Sequence, residues 1–226
     1  MKRSKRYTEI KAKVDLEKEY DLDEALAVIK EMKSAKFDET VEIHMKLGID
    51  IKKADQNVRG TLSMPNGTGR SVKVIAFAQG ENARAAKDAG ADEVGDEELA
   101  ARIQGGWMDF DIVLATPDMM RFVGRLGRVL GPQGKMPSPK SGTVTEDIAT
   151  AVSEFKAGKI EYRADGSGNL HVPVGKRSFE KQALKENIEV LIGHIKAAKP
   201  PAAKGKYIQK TVVGTTMGPS LKLVME

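Results

Sequence analysis

The spacing of apolar residues changes twice along the chain, and this change limits the folds that the sequence can adopt. Apolar and polar residues alternate strictly through residues 41–47, which is typical of a strand with one face buried and the other in water. Within residues 67–158 the apolar residues instead form continuous runs, such as 72–78 and 111–115, separated by stretches of helical spacing. Strands that alternate with helices predict a parallel, three-layer α/β unit.

The two flanks of this middle segment share a different pattern. Weaker period-two alternation occurs at 58–64, 160–163, 170–174 and 207–213, and helical spacing occurs at 22–32 and 179–196. These patterns predict an antiparallel α+β structure with open sheet faces. Each flank has only about 65 residues, for which a separate core is marginal. The sequence is therefore consistent with one α+β domain, built from residues 1–66 and 159–226, into which residues 67–158 are inserted.

Charge is distributed unevenly between these parts. The chain of 226 residues carries a formal net charge of +5. The middle segment holds 11 basic and 13 acidic residues, a net charge of −2, so the flanks together carry +7. The flanks are therefore the better candidate for binding a polyanion.

Composition excludes several classes of site. The chain has no cysteine, which rules out disulfides, thiolate metal sites and a thiol nucleophile. Its 3 histidines are far apart in sequence, and no constellation of catalytic residues assembles, so we expect neither an enzyme nor a cofactor. No apolar run approaches the roughly 20 residues of a membrane span. The basic residues 1–13 are not followed by an apolar stretch, so we expect an intracellular protein without a membrane partner.

Three segments carry candidate binding residues, each with an alternative interpretation. The basic N-terminal arm either contacts phosphates or is a solvated terminus. Phe37 is by default a core residue, or else an exposed platform on which a base stacks. Residues 215–220 place hydroxyls, a glycine and a thioether side by side, which suits close approach of an RNA backbone; the alternative is a simple bulge or turn. Residues 165–169 predict a hairpin turn, in which Asp165 could accept a hydrogen bond from a ribose hydroxyl.

The loop at residues 121–140 contains 5 basic residues and no acidic one, interleaved with glycine and proline. It does not fit a Walker loop, because Met136 follows Lys135 where serine or threonine is required. Its glycine spacing does not fit a dinucleotide fingerprint either. We expect a rigid loop with a basic face, whose partner, RNA or protein, stays open. An enzyme with a nucleotide site in the middle segment and a DNA-binding regulator are the two rival functions.

Five ordered blocks match the motifs of one protein family. They are residues 35–42 (AKFDETVE), 55–60 (DQNVRG), 106–111 (GWMDFD), 127–137 (GRVLGPQGKMP) and 215–220 (TTMGPS). On these blocks the chain resembles the bacterial family of large-subunit ribosomal protein one, the L-one family. The resemblance covers essentially all 226 residues.

The resemblance implies both a fold and a function. The fold would be the split α+β domain with a Rossmann-like α/β insertion. The protein would be a cytoplasmic, structural constituent of the large ribosomal subunit that binds the side-stalk helices of large-subunit ribosomal RNA. It would also take part in the release of deacylated tRNA from the exit site. By binding a similar fold in its own messenger RNA, it would repress translation of its own operon.

The expected RNA contacts lie in both flanks. They are Lys36, Phe37, Thr40, Glu42, Thr216, Met217, Gly218 and Ser220, with Asp165, Ser167 and the arm cations Arg3, Lys5 and Arg6 added. Phe37 and Met217 would give apolar contact to ribose or base. Glu42 cannot contact phosphate favourably, so it would accept from a 2′-hydroxyl or a base amino group.

Overall fold

The computed structural model describes residues 4–224, without the side chain of Ala54. It confirms a mixed α/β class. The contacts between residues divide the chain into two compact units. The first, called here the terminal unit, combines residues up to Arg70 with residues from Tyr162 onward, and the second, the middle unit, is Ser71–Glu161. Within the described residues, no helix is long and apolar enough to cross a membrane.

The helices and strands are numbered in chain order. The helices are α1 (Lys5–Lys13), α2 (Leu22–Glu31), α3 (Gly80–Asp88), α4 (Glu97–Gln104), α5 (Met120–Val123), α6 (Gly127–Leu130), α7 (Ile148–Ala157) and α8 (Lys181–Ala197). The strands are β1 (Glu19–Tyr20), β2 (Thr40–Leu47), β3 (Arg59–Ser63), β4 (Val74–Phe77), β5 (Glu93–Gly95), β6 (Ile112–Ala115), β7 (Lys159–Arg163), β8 (Asn169–Lys176), β9 (Ile208–Thr215) and β10 (Leu221–Leu223).

The terminal unit is built on a five-stranded sheet in the order β1-β10-β9-β2-β8. Strand β2 runs antiparallel between β8 and β9, and only the short edge pair of β1 and β10 is parallel. Strands β3 and β7 form a separate two-stranded sheet. The strict alternation in β2 is confirmed, because Val41, Ile43, Met45 and Leu47 are buried while the residues between them are partly exposed. Helices α2 and α8 pack against the sheet and against each other.

The middle unit contains a parallel sheet in the order β5-β4-β6. Alternate residues of β4 enter two separate apolar clusters. Ile75 and Phe77 pack with α4 and with residues 119–130, whereas Val74 and Ala76 pack with α3 and α7. Both faces of the sheet are therefore covered, which explains why the strands are continuous apolar runs rather than alternating ones.

The N-terminal segment differs from the expected basic arm, because residues 5–13 form a helix. Ser4 caps this helix by accepting a hydrogen bond from the backbone N–H of Tyr7 at 3.3 Å. Ile10 is the one buried residue that the helix contributes. With so small an apolar stripe, the helix has little periodicity that a sequence pattern could detect.

A buried asparagine holds the 65–67 segment against α8. The Asn187 side chain is fully buried, and its Nδ2 donates to the carbonyls of Gly67 at 2.9 Å and Val174 at 2.7 Å. Its Oδ1 accepts from the backbone N–H of Asn66 at 3.1 Å. The buried amide is tolerated because both its oxygen and its nitrogen have hydrogen-bond partners.

We predict that Asn187→Ala destabilises the protein by about 2–3 kcal/mol, because three backbone groups, one in a buried bond and two in partly buried ones, lose their partner. Urea unfolding followed by circular dichroism measures this change as a shift in midpoint. The matched control is Asn82→Ala at an exposed position of α3, which should leave the midpoint nearly unchanged. Equal midpoints for the two variants would contradict this role of Asn187.

Candidate nucleic-acid interface

Two predicted segments meet at one end of β2. The backbone N–H of Thr216 donates to the carbonyl of Thr40 at 3.0 Å, which extends the pairing of β2 with β9 by one residue. The structure thereby brings the residue 35–40 loop and the residue 215–220 turn together. We call their shared surface the Phe37–Met217 surface; its members are Lys36, Phe37, Thr40, Glu42, Thr216, Met217, Gly218 and Ser220.

The centre of this arrangement is Glu39, a buried carboxylate that the sequence analysis did not single out. Glu39 is only 1% exposed. Its Oε1 accepts from the backbone N–H of Ala35 at 2.6 Å, and its Oε2 accepts from the backbone N–H of Met217 at 3.1 Å. Burial alone would raise the pKa of Glu39, but hydrogen bonds from Thr215, Ala35 and Met217, with Arg6 nearby, hold that pKa below its usual value. The carboxylate therefore stays charged and joins both segments.

Arg6 supports the same junction. Its Nη1 lies 3.6 Å from Glu39 Oε1 and donates to the carbonyl of Lys33 at 3.1 Å, while its Nη2 donates to the carbonyl of Met217 at 2.8 Å. The guanidinium therefore makes hydrogen bonds within the protein, whereas the sequence analysis expected Arg6 to contact RNA as part of a basic arm. Lys5 is exposed on the first turn of α1, and the prediction for Arg3 lies outside the described residues.

Phe37 is not a core residue, so the default expectation was wrong. Its side chain is 53% exposed and that of Met217 is 50% exposed. The next residue, Asp38, holds the loop from the other side: its Oδ1 accepts from the backbone N–H of Ser178 at 3.1 Å, and its Oδ2 accepts from the Ser178 hydroxyl at 2.6 Å. Two consecutive carboxylates thus fix the backbone beside Phe37 while its ring stays in solvent.

The hydroxyl of Thr216 is already used within the protein. Thr216 Oγ1 accepts from the backbone N–H of Thr40 at 3.0 Å and lies 3.3 Å from the Thr40 carbonyl, to which it donates. Thr40 Oγ1 accepts from Lys176 Nζ at 3.0 Å. These hydroxyls therefore shape the strand end, and each keeps only part of its hydrogen-bonding capacity for a ligand.

The two glycines of the turn region leave space for neighbouring hydroxyls. A Cβ on Gly218 would lie 2.4 Å from Thr215 Oγ1, the hydroxyl that bonds to Glu39. A Cβ on Gly214 would lie 2.9 Å from Ser220 Oγ. Close packing against Thr215 therefore requires Gly218, whatever binds outside it.

Gly214 lies opposite Glu42 in the pairing of β9 with β2. The carboxylate of Glu42 has no hydrogen bond or ion pair within residues 4–224.

Asp165 and Ser167 are not part of this junction. They lie in the turn before β8, next to Lys46 at the opposite end of β2, about 20 Å from Thr40 at ~3.3 Å per strand residue. Asp165 Oδ1 accepts from the backbone N–H groups of Asn169 and Ser167, each at 2.8 Å. These bonds, with the Asn169 side chain, hold the pKa of Asp165 far below its usual value. Asp165 is thus committed to its own turn, whereas Ser167 is exposed.

The basic loop of the middle unit does not form a phosphate cradle around Lys135. Lys135 Nζ donates to the carbonyl of Phe110 and lies 4.7 Å from the centre of the Phe110 ring. Arg121, Arg125 and Arg128 are exposed on the short helical turns of residues 120–130. Within the part of the chain that the structure describes, no group of three or more histidine and acidic side chains could hold a metal ion.

The buried state of Glu39 predicts a pH-dependent stability. Its folded pKa lies below the ordinary value of 4.5, so its contribution is present above pH 4.5 and is lost as the pH falls through the folded pKa. We expect Glu39→Gln to cost about 2–3 kcal/mol at pH 7, because two partly buried N–H donors lose a buried, charged acceptor.

Urea unfolding of Glu39→Gln and of the wild-type protein between pH 7 and pH 3 tests this prediction. The gap in unfolding free energy should narrow in the most acidic samples. The control Glu31→Gln, at an exposed position of α2, should show no comparable gap at any pH. A gap for Glu39→Gln that stays constant down to pH 3 would argue against the charged carboxylate.

Comparison with known proteins identifies related chains. The model of the Ribosomal protein L1p/L10e family matches residues 29–219. The large ribosomal subunit protein uL1 of Fervidobacterium nodosum is 59% identical over 98% of this chain and 95% of the relative. The proteins of the same name from Kosmotoga olearia and Cutibacterium acnes are 57% and 56% identical, over 98% and 99% of this chain and 96% of each relative.

These matches confirm the family resemblance that the five sequence blocks indicated. They also confirm, through the family, that the protein is not an enzyme and is cytoplasmic as a part of the ribosome. The chain belongs to the ribosomal protein L1 family and is a structural, rRNA-binding constituent of the large ribosomal subunit.

Proposed function

We propose that the Phe37–Met217 surface is the main contact of this protein with the side-stalk helices of large-subunit ribosomal RNA. The observation that carries the proposal is the exposure of two large apolar side chains, Phe37 and Met217, on segments joined by the carboxylate of Glu39. Since their backbone is already fixed, binding loses little backbone entropy at these positions. An exposed ring and a thioether on such a support suit an unstacked base or a ribose.

The polar members of the surface divide into two roles. Glu42, Lys36 and Ser220 are the groups proposed to contact RNA directly: Glu42 accepts from a 2′-hydroxyl or an amino group, and Lys36 contacts phosphate. Thr40, Thr216 and Gly218 shape the backbone that the RNA approaches. The Thr216 hydroxyl can accept one further bond, and the Thr40 hydroxyl can donate one and accept one. Arg6 holds Met217 in place, and Lys5 and Arg3 supply charge to the RNA backbone.

The fold supports a finer domain proposal. One domain, proposed as residues 1–66 with 159–226, carries the principal RNA surface, and the other, proposed as residues 67–158, is a Rossmann-like insertion; these bounds differ by a few residues from those of the terminal and middle units. The parallel β5-β4-β6 sheet, with apolar clusters on both faces, supports the second part. Following the family resemblance, we further propose that the protein takes part in release of deacylated tRNA from the exit site. The same surface would repress the protein's own operon by binding its messenger RNA.

We predict that Phe37→Ala weakens binding to a side-stalk RNA fragment by about 1–3 kcal/mol, or roughly 5- to 150-fold, as expected when a stacked base loses its aromatic platform. Met217→Ala should weaken the same complex because it removes an apolar contact to ribose or base. Filter binding or fluorescence anisotropy at a fixed salt concentration measures the change. The control Val190→Ala removes another exposed apolar side chain, from α8, and should bind with wild-type affinity. Unchanged affinity in both Phe37→Ala and Met217→Ala would refute the proposed surface.

A second prediction concerns the messenger RNA. If one surface serves both RNAs, a fragment of the protein's own operon messenger should compete fully with the side-stalk fragment. Met217→Ala should weaken both complexes together. Simultaneous binding of the two RNAs to one protein molecule would show that the repressor proposal needs a different surface.

A further inference from the structure

A polar cavity of about 570 Å³ lies at the other end of β2 from the Phe37–Met217 surface. Four lysines contribute to its walls together with a single carboxylate, Asp50. The lining residues that carry the argument are Lys46, Lys53, Gln56, Lys204, Lys206 and Gln209. All of them belong to the terminal unit.

The loops that form this cavity are braced against each other. Gln56 is buried; its Oε1 accepts from the backbone N–H of Asp50 at 2.7 Å, and its Nε2 donates to the carbonyl of Ala202 at 3.3 Å. The backbone N–H of Gly48 donates to the carbonyl of Tyr207 at 2.7 Å. A Cβ on Gly48 would lie 2.4 Å from the Lys206 carbonyl, so the two loops touch closely. The cavity is therefore built into the fold before any ligand arrives.

The charges around the cavity are largely uncompensated. Lys53, Lys204 and Lys206 are exposed, and within residues 4–224 none of their ammonium groups has a hydrogen bond or an ion pair. Lys46 donates one hydrogen bond, to the carbonyl of Ser167, which leaves two of its three donors free. Four ammonium groups facing one carboxylate produce a positive potential that selects an anionic ligand.

We propose that this cavity, which we call the lysine cavity, is a second RNA-binding site that holds the phosphodiester backbone. The proposal rests on the RNA binding described under Proposed function and adds a separate place of contact. Lysine ammonium groups bind phosphate as point charges and read no base edges. The lysine cavity therefore contributes affinity that depends on salt but not on sequence, whereas the Phe37–Met217 surface supplies selectivity.

The position of the lysine cavity supports an RNA rather than a small anion. The partly exposed polar face of β2 runs for about 20 Å from Thr40 to Lys46, so one strand face joins both surfaces. Ser167 is exposed and lies far from the Phe37–Met217 surface. It is next to the lysine cavity, because its carbonyl accepts a hydrogen bond from Lys46, one of the lining residues. An extended polyanion can follow this face, whereas a small anion would occupy only one end of it.

The test is the salt dependence of RNA binding by the full chain carrying Lys53→Gln, Lys204→Gln and Lys206→Gln together. Each lost lysine–phosphate contact should reduce the slope of log affinity against log salt by about 0.7–1, so the slope should fall by roughly two to three. The reduction should be equal for a side-stalk fragment and for an unrelated structured RNA of the same length. If the slope falls in the first, tighter binding step, the lysine cavity contacts the same RNA molecule as the Phe37–Met217 surface. If the slope falls only in a weaker second step, the lysine cavity holds a second RNA molecule.

The control removes the same charge elsewhere, through Arg84→Gln, Lys87→Gln and Lys181→Gln at exposed positions of α3 and α8. Its slope should stay close to the wild-type slope, and thermal melting should show both triple variants folded. A wild-type slope in the cavity variant, or saturation of the cavity by inorganic phosphate without any effect on RNA binding, would overturn the proposal. If Phe37→Ala and Met217→Ala bind normally while the cavity variant loses its slope, the proposed function fails and the lysine cavity stands.

Discussion

The candidate site depends on the hydrogen bonds that the buried carboxylate of Glu39 accepts. A single buried charge accepts hydrogen bonds from the loop before β2 and from the turn after β9, and it lies next to the guanidinium of Arg6 from α1. Burial of a carboxylate is costly unless its oxygens find donors, and one of these donors, Met217, lies 178 residues from Glu39 along the chain. The charge is thus stable only when those segments are correctly placed, and it places Phe37 and Met217 in turn.

Strand β2 connects this junction to the rest of the terminal unit. Its alternating side chains form the core on one face and a polar surface on the other. Because it is paired on both sides, by β8 and β9, its polar face is held rigidly from Thr40 to Lys46. Most polar side chains on that face are bonded within the protein: Thr40 with Lys176, His44 with His171 and Lys46 with the Ser167 carbonyl. The side chains that remain available to contact a ligand are few. They are Phe37, Glu42 and Met217 at one end of the strand and the lysines of the cavity at the other.

The interpretation of the motifs was correct at the level of the family and incomplete for individual side chains. The blocks at 35–42 and 215–220 identified the segments that meet, but they did not show that Thr216 and Arg6 also form hydrogen bonds within the protein. Phe37 illustrates the reason. A lone phenylalanine is usually buried. Only the hydrogen bonds that Asp38 accepts from Ser178 and that Glu39 accepts from Ala35 show why this one stays in solvent. The sequence pattern did not predict helix α1, because this helix buries only one apolar side chain, Ile10.

Local pattern by itself determined the secondary structure of most of the chain and the difference between its two parts. Alternation in β2 and continuous apolar runs in β4 and β6 follow directly from whether one or both faces of a strand are buried. Tertiary structure alone decided which polar groups are satisfied internally and which remain available. That outcome depends on contacts between residues distant in sequence, such as Glu39 with Met217 and Gln56 with Ala202, and no local spacing encodes them. For the same reason the lysine cavity, whose walls come from residues 46–56 and 202–209, becomes visible only in the folded chain.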